Sequence, residues 1–355
     1  MAIYNWQQKG WPDFRFSLDK VEDELFLFYE KLGRNSGVLE ALTEETRKEI
    51  FSDIILAEAD SLSSIAYAGK EDGSSKDKTV AGVTKLLNDV RQTFTEPLTR
   101  QQISTWHTML AGDGGKKTSD IWRKDDEQLE IVSGILTSGR KEKTSSFLTP
   151  PAVQEEMKAF IGWFNSTAPG GTNEIRKAPV RAAIAYLYFK TISPIKGNNK
   201  SIAWFISEKA MYQTLGRPVV LGFLSAIEAT QNDYFTALDK AQRSNEITPW
   251  IEYFIKMSLE GQQQTEKLID LVLKRKMFFE KYGQQFGERQ LAAIRFLLKE
   301  QANGNKIEMN ASMYMHITQA SKATATRDMQ QLLDMGAFVF AGPEGGRSTR
   351  YQLNL

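Results

Sequence analysis

Residues 189–206 read "FKTISPIKGNNKSIAWFI", and this stretch decides how the rest of the chain is interpreted. Apolar residues at helical spacing occupy both ends, and a short polar loop with one glycine and two asparagines separates them. Gly197 would allow a sharp turn and the close approach of a ligand. A helix beginning near Lys200 would offer free N–H groups and a positive dipole end to an anion. The residues alone therefore fit either a phosphate-binding loop or a plain polar connection between two helices.

The composition limits the class of protein. A chain of 355 residues predicts two or three domains, and 41% hydrophobic with 25% charged residues is typical of a globular protein with a real core. The net charge of +1 gives no general attraction to nucleic acid or membrane. The absence of cysteine excludes disulfides, thiolate metal sites and cysteine nucleophiles. Without a signal-like start or a long apolar run, the expectation is a cytoplasmic protein that does not bind membranes.

Helical periodicity dominates the chain. The stretch from Val180 to Tyr188 has apolar residues at helical spacing with further apolar residues around them, which predicts a central buried helix. Residues 69–78 are polar and predict a linker or loop. Beta-branched residues around a charged turn predict a short hairpin of Ile131–Leu136 against Ser145–Leu148.

The stretch "FKTISPIKGNNK" resembles the signature of Fic-domain (Fic/DOC) proteins, FxxIHPFxxGNGRxxR. The similarity extends to the hairpin and its following helix, to "EITPWIEYFI", to "IYNWQQKGWPDF" in the N-terminal helical region found in many bacterial Fic proteins, and to a C-terminal winged helix. The resemblance implies a mainly α fold. Its expected parts are an N-terminal helical region over 1–95, a Fic core with a small β-hairpin flap over 96–270, and a winged helix-turn-helix over 283–355.

Fic proteins mostly transfer AMP from ATP to a protein hydroxyl. In the signature the histidine is the general base, the acidic residue holds Mg²⁺, and the glycine, asparagine and arginines bind phosphates. Ser193 stands at the histidine position, and one residue is missing between it and the glycine. Gly197 and Asn198 match the signature, whereas Asn199 replaces the second glycine and Lys200 the first arginine.

Two further departures affect the chemistry that the resemblance implies. Lys196 stands where the metal-binding acid belongs, and Ala203 replaces the second arginine. Serine is no base near neutral pH, and losing a general base typically costs ~10²–10⁴ in rate. His107 and His316 lie elsewhere in the sequence and do not replace it. The expectation is that residues 197–200 bind ATP or another phosphate-bearing ligand without Mg²⁺, and that AMP transfer is weak or lost.

Many relatives with this N-terminal region carry an inhibitory helix whose glutamate pairs with the second arginine. The matching stretch here is "DSLSSIAYAGKE", in which Ala66, Tyr67 or Ala68 takes the glutamate position. The inhibitor and its partner would then both be absent. A different register would let Glu71 serve instead.

The last part of the chain predicts a helix-turn-helix followed by a hairpin wing. "SKATATRDMQQLLDMG" would form the second helix, with Met329, Leu332 and Leu333 inward. Its solvent side would then face the DNA major groove, and wing arginines would meet phosphates. The residues proposed for DNA are Lys322, Thr324, Thr326, Arg327, Arg347 and Arg350. Asp328, Asp334 and Glu344 dilute the positive charge, so a protein–protein module is the alternative.

Three functional interpretations follow. The first is a Fic-family protein that binds nucleotide or phosphate but is impaired as an adenylyltransferase. The second is a DNA-binding regulator in which the Fic core serves as scaffold or ligand sensor. The third is an enzyme with altered chemistry that uses another nucleotide or phosphate compound. The partners open to such a chain are a nucleotide, duplex DNA, a protein target and a second copy of itself.

Overall fold

The structure is a computed structural model. It describes residues 4–67, 73–111, 121–123, 129–131, 146–148, 153–223, 226–227, 230–302, 307–342 and 349–355. The chain divides into two compact units, Met1–Leu268 and Ile269–Leu355. The first unit holds the helical region expected over 1–95 together with almost all of the core expected over 96–270. No helix within these described ranges combines the length and apolarity needed to span a bilayer.

The first unit is built from helices. Its helices are α1 (Glu22–Ala41), α2 (Glu44–Tyr67), α3 (Gly73–Gln92), α4 (Arg100–Ala111), α5 (Val153–Ser166), α6 (Ala178–Ile192), α7 (Asn199–Leu215), α8 (Gln231–Ala241) and α9 (Thr248–Tyr282), with a 3-10 turn at Asn5–Gln7. Helix α9 continues past Leu268 into the second unit.

Helix α6 is the centre of the first unit, as the sequence predicts. All its residues except Lys190 are buried, because apolar side chains surround its axis. Trp250 of α9 donates an indole hydrogen bond of 2.8 Å to the carbonyl of Ala183. Helices α6 and α7 pack along each other, and this pair places the loop at 193–198 between their ends.

Two local expectations need correction. The hairpin pairs β1 (Leu129–Ile131) with antiparallel β2 (Ser146–Leu148), so pairing involves residues before the expected 131–136 segment. In the register of this pair, Leu129 is opposite Leu148 and Ile131 is opposite Ser146. Residues 132–136 and 145 lie outside the described residues. In the expected linker at 69–78, residues 73–78 belong to α3.

The second unit has the element order of a winged helix. It contains a 3-10 turn (Gly283–Gln285), α10 (Glu288–Ala302), α11 (Ala311–Thr318), α12 (Lys322–Asp334), β3 (Phe338–Phe340) and β4 (Tyr351–Leu353). The two strands pair antiparallel, and Met309 bridges to Tyr351 on the outer side of β4. The expected caps are present: Asn310 accepts from the Met313 amide at 2.9 Å, and Ser321 from the Thr324 amide at 3.3 Å. The mainly α fold with a small hairpin is thereby confirmed.

Candidate functional site

The loop between α6 and α7 is held from one side by a short extended segment. The amide of Arg123 donates to the Pro194 carbonyl at 2.8 Å, and the amide of Lys196 donates to the Ile121 carbonyl at 2.9 Å. Trp122 faces Ile195 between these two bonds. In such an antiparallel arrangement the facing pair does not exchange its own hydrogen bonds, so the N–H and C=O of Ile195 need other partners.

Asn199 supplies those partners. Its Oδ1 accepts from the Ile195 amide at 3.1 Å, and its Nδ2 donates to the Ile195 carbonyl at 2.6 Å. The side chain is buried and both of its polar groups are used within the loop. The expectation that this side chain contacts phosphate therefore changes: Asn199 clamps the loop, and only its backbone N–H at the start of α7 remains for a ligand.

Arg123 stabilises the other end of the loop. Its buried guanidinium donates from Nε to the Ser193 carbonyl at 3.1 Å and from Nη2 to the Ile192 carbonyl at 2.9 Å. These carbonyls lie at the C-terminus of α6, where a cation complements the helix dipole. No local sequence pattern indicates this role, because Arg123 lies 70 residues before Ser193.

Ser193 occupies the C-cap of α6 in a left-handed conformation, with φ of 44° and ψ of 61°. Non-glycine residues adopt this conformation at a cost of roughly 1–2 kcal/mol. Its Oγ donates to the Lys190 carbonyl at 2.6 Å, and the side chain is buried. The hydroxyl is therefore engaged with the helix end, and its chemistry is that of a cap rather than a base.

The sharp turn before α7 falls on Asn198 rather than on Gly197. Asn198 is the N-cap of α7 and has a φ of 59°, a conformation that asparagine tolerates better than most residues. Gly197 has no positive φ, and no atom lies within 4 Å of the position that a Cβ would take there. The backbone thus does not require glycine at 197, and the space beside it is open toward a ligand.

Lys200 stands in the first turn of α7 with its stem partly buried. Its Nζ lies 4.8 Å from the ring centre of Tyr234 and 5.2 Å from that of Phe235, both on α8. Burial, reinforced by the positive charge of Lys190, lowers the pKa of the Lys200 amine to about 8. Burial also lowers the pKa of Lys190. Within the described part of the chain, neither lysine has an ion-pair partner.

These features create an electropositive corner at the start of α7. The first hydrogen bond of the helix joins the Ile202 amide to the Asn198 carbonyl at 2.9 Å, so the amides of residues 199–201 have no partner within the helix. Ala203, at the second arginine position, is fully buried and offers no donor. The corner can accept an anion through backbone amides and one amine, without a bidentate side-chain clamp.

The other residues considered from sequence belong to other elements or lie outside the described residues. His107 is on α4, where burial lowers its pKa, and His316 belongs to the second unit. Ala66 and Tyr67 are the last two residues of α2, whereas Ala68 and Glu71 lie outside the described residues. The described residues contain no group of three or more histidines and carboxylates that could hold a metal ion.

The exposed side of α12 carries most of the residues proposed for DNA. Lys322, Thr326 and Arg327 are exposed, and Thr326 Oγ1 donates to the Lys322 carbonyl at 3.0 Å. Thr324 is partly buried, with its hydroxyl 3.0 Å from that of Ser321 in the cap. Thr324 is therefore less available for a base contact than the sequence suggests.

On the wing, Arg350 and Glu308 form an exposed ion pair at 3.1 Å. Arg347 lies outside the described residues. A phosphate contact by Arg350 would compete with Glu308, and such exposed pairs are weak.

Asp328 does not dilute the charge of this surface as expected from sequence. It is 4% exposed, and Arg289 contacts it at 2.9 Å while the Tyr314 hydroxyl donates to it at 3.1 Å. Burial raises the pKa of Tyr314, and the charge of the Asp328 carboxylate acts in the same direction. The carboxylate is thus neutralised inside the unit, which leaves Lys322 and Arg327 as charges on the outer face.

Comparisons with known proteins agree with this architecture. Residues 4–67 match a family model described as "Domain of unknown function (DUF4172)". No curated protein matches the sequence. Among solved structures, a Fic family protein from Desulfovibrio desulfuricans G20 superposes with a TM-score of 0.53 at 16% identity, covering 97% of this chain and 98% of that one.

A second solved structure is a Fic domain containing signaling protein from Bacteroides thetaiotaomicron. It superposes with a TM-score of 0.50 at 15% identity, over 70% of this chain and 97% of that one. At these identities the superpositions show the fold alone, and the chain has the fold of the Fic family.

Proposed function

We propose that this protein is a Fic-family member whose loop at 193–200 binds a phosphate-bearing ligand, with ATP among the candidates, and which transfers AMP weakly or not at all. The observation that carries the proposal is the pair of lysines at the loop. Lys190 and Lys200 repel each other, both lose hydration, and neither has an ion-pair partner among the described residues. A bound anion would relieve this unfavourable arrangement.

The start of α7 supports the same ligand. Free amides at a helix N-terminus together with the positive dipole end form a ready anion site. The open space beside Gly197 lets a phosphate approach the backbone closely. Lys200 adds a charged donor, whose amine contacts the rings of Tyr234 and Phe235 on α8.

Weak or absent AMP transfer follows from the groups that face the loop. Ser193 is buried and donates its hydroxyl to the helix end, so it cannot accept a proton from a target hydroxyl. General base catalysis typically contributes ~10²–10⁴ in rate, and that contribution is missing here.

The loop also does not suit the Mg²⁺ that Fic chemistry uses. Oxygen ligands are what Mg²⁺ requires, and it prefers carboxylates. Lys196 stands at the acidic position with an exposed side chain, and the adjoining α7 start presents N–H groups. Both repel a cation, so the phosphate ligand binds without metal help, and no catalytic step is routed through the ion.

Labelling with radioactive ATP tests the catalytic part. Purified full-length protein is expected to add no detectable AMP to itself or to lysate proteins. Strong labelling that is lost in Ser193→Ala would overturn the proposal, because it would make the serine part of working machinery. A Lys158→Gln variant, altered at an exposed lysine on α5, controls for general surface changes.

A second candidate function is duplex DNA binding by the second unit. The favouring observation is the internal neutralisation of Asp328, which leaves Lys322 and Arg327 as the charges of the exposed α12 face. The recognition helix of a winged helix presents this face to the major groove. Selection of full-length protein against random duplex pools at low salt would test it. If no sequence is enriched, the unit is a protein-interaction module instead.

A further inference from the structure

Helix α1 buries one face in the first unit and carries large apolar side chains on the other. Leu25, Phe28 and Leu32 belong to the core of that unit. Phe26 is 70% exposed and Leu27 is 40% exposed, so neither gains the stabilisation that full burial would give. Single exposed apolar residues are common on protein surfaces, and the residues that share the face with Phe26 therefore decide whether it is a contact surface.

Two glycines continue the exposed side of α1 from Phe26. Gly33 and Gly37 stand at positions i+7 and i+11 from Phe26, which places all three along one line of the helix. In the described part of the chain, no atom lies within 4 Å of the position that a Cβ would take at either glycine. Packing within one molecule thus does not require glycine there, although glycine is less favourable than alanine inside a helix. Glycines on an open helix face let the backbone of a second helix approach closely.

Two opposite charges flank the same line of residues. Glu30 and Arg34 are both exposed and lie on one side of it. If a second copy of α1 crosses antiparallel with the two-fold axis level with residue 32, Glu30 of each copy lies beside Arg34 of the other. The same register sets Phe26 of each copy over Gly37 of the other. Arg34 contacts Glu266 at 3.0 Å, but its side chain is 69% exposed and has further N–H donors.

The ends of the two helices also suit this register. The first turn of α1 is acidic and would approach the last turn of the second copy's α1, where Glu40 lies. Glu40 contacts Arg217, so its charge is balanced within its own molecule. One pair of crossing helices covers less surface than a standard interface, and the expected dissociation constant is about 1–100 μM.

We propose that two copies of this chain associate through an antiparallel crossing of their α1 helices. The occupant is a second copy because the face complements itself: one two-fold axis places a bulky residue over a glycine and a negative charge beside a positive one, each of them twice. The association does not depend on a ligand at the loop of residues 193–200. The α1 face consists of Phe26, Leu27, Glu30, Gly33, Arg34 and Gly37.

Sedimentation velocity of the full-length protein, from about 1 to 200 μM, measures the association. The wild type should pass from monomer to dimer, and Phe26→Ala should weaken the dimer about tenfold or more. Gly37→Leu should remain a monomer, because the leucine keeps the second helix away. Its fold should persist, since leucine favours helix and the space beside Gly37 is open. The matched control is Gly162→Leu, at an exposed glycine of α5 with equally open space, which should dimerise as the wild type does.

Charge reversal tests the register. Glu30→Arg and Arg34→Glu should each associate about tenfold more weakly than the wild type, because like charges then meet across the axis. An equimolar mixture of the two variants should regain the wild-type association, since both pairs are again of opposite sign. A wild type that stays monomeric at about 200 μM, a dimer that Gly37→Leu leaves intact, or a mixture that associates no better than the single variants would overturn the proposal.

Discussion

Replacing Asn199 with alanine tests whether this side chain clamps the loop or contacts a ligand. In the structure it makes two hydrogen bonds with the backbone of Ile195, at 3.1 Å and 2.6 Å, and is 8% exposed. Ile195 is itself fully buried, and its amide and carbonyl face away from the pairing with residues 121–123. The substitution therefore leaves one donor and one acceptor without their partners.

The expected loss of stability follows from those two groups. A hydrogen bond contributes about 1 kcal/mol net, and a buried group left unpaired costs about 1–3 kcal/mol. Water can enter beside the exposed side chain of Asn198, so the lower end applies, about 1.5 kcal/mol for each group. Alanine has a higher helix propensity than asparagine, and this difference offsets about 0.6 kcal/mol of the lost stability at the start of α7. The expected net destabilisation is about 2–2.5 kcal/mol.

Tryptophan fluorescence in urea is a suitable assay. All seven tryptophans lie before Leu268, so the signal reports the first unit alone. For Asn199→Ala, the urea concentration at the unfolding midpoint should fall, while the slope of the unfolding free energy against urea concentration should stay the same. The matched control is Asn232→Ala, an exposed asparagine in the first turn of α8 whose side chain makes no hydrogen bond with the described residues. That variant should change stability by less than about 0.5 kcal/mol.

A different outcome would refute the clamp. If Asn199→Ala unfolds at the wild-type midpoint but loses affinity for pyrophosphate, the side chain is a ligand contact and the loop does not depend on it. Lower stability with pyrophosphate affinity retained at low urea would agree with the structure.

Three other predictions concern the site and the second unit. Ser193→His should not restore AMP transfer from labelled ATP, because the acid position and the second arginine position stay unsuitable; labelled protein above background would contradict this. Asp328→Ala should cost about 2 kcal/mol through the unpaired Tyr314 hydroxyl, seen as roughly 30-fold faster hydrogen exchange in α12, and unchanged exchange would count against it. Pyrophosphate affinity should fall as pH rises through about 8, since Lys200 is charged below its pKa and neutral above it; a flat titration would exclude this amine as a binding group.

The helical framework was predictable because its signals are local. The helix around Val180–Tyr188 is apolar on all sides, and only a buried position suits such a helix. The caps at Asn310 and Ser321 were likewise readable from residue type. Hairpin register was less predictable, because several apolar residues near Ile131 could pair with β2.

The loop was predictable in composition but not in the roles of its residues. Gly197 was the expected turning point, yet the left-handed conformations fall on Ser193 and Asn198 because contacts from Arg123 and the start of α7 impose them. These contacts join residues far apart in sequence. The pairing of Lys190 with Lys200 likewise depends on how α6 and α7 pack together.

In the second unit, Asp328 was misjudged as a surface charge. Ala325 and Leu332, which lie on the same face of α12, are buried. Asp328 can be buried beside them because its carboxylate pairs with Arg289 and accepts a hydrogen bond from the Tyr314 hydroxyl. The sequence of α12 alone does not indicate whether another element carries a residue that pairs with the Asp328 carboxylate. The ion pair with Arg289 of α10 is what allows Asp328 to be buried.

The central claim is that the loop binds phosphate without a metal ion. Titration calorimetry of the full-length protein with ATP, in Mg²⁺ and again in EDTA, tests it most directly. The dissociation constants in the two buffers should agree within about twofold, Lys200→Gln should bind about tenfold more weakly, and Lys158→Gln should bind as the wild type does. Binding that disappears in EDTA, or that is as tight in Lys200→Gln as in the wild type, would contradict it.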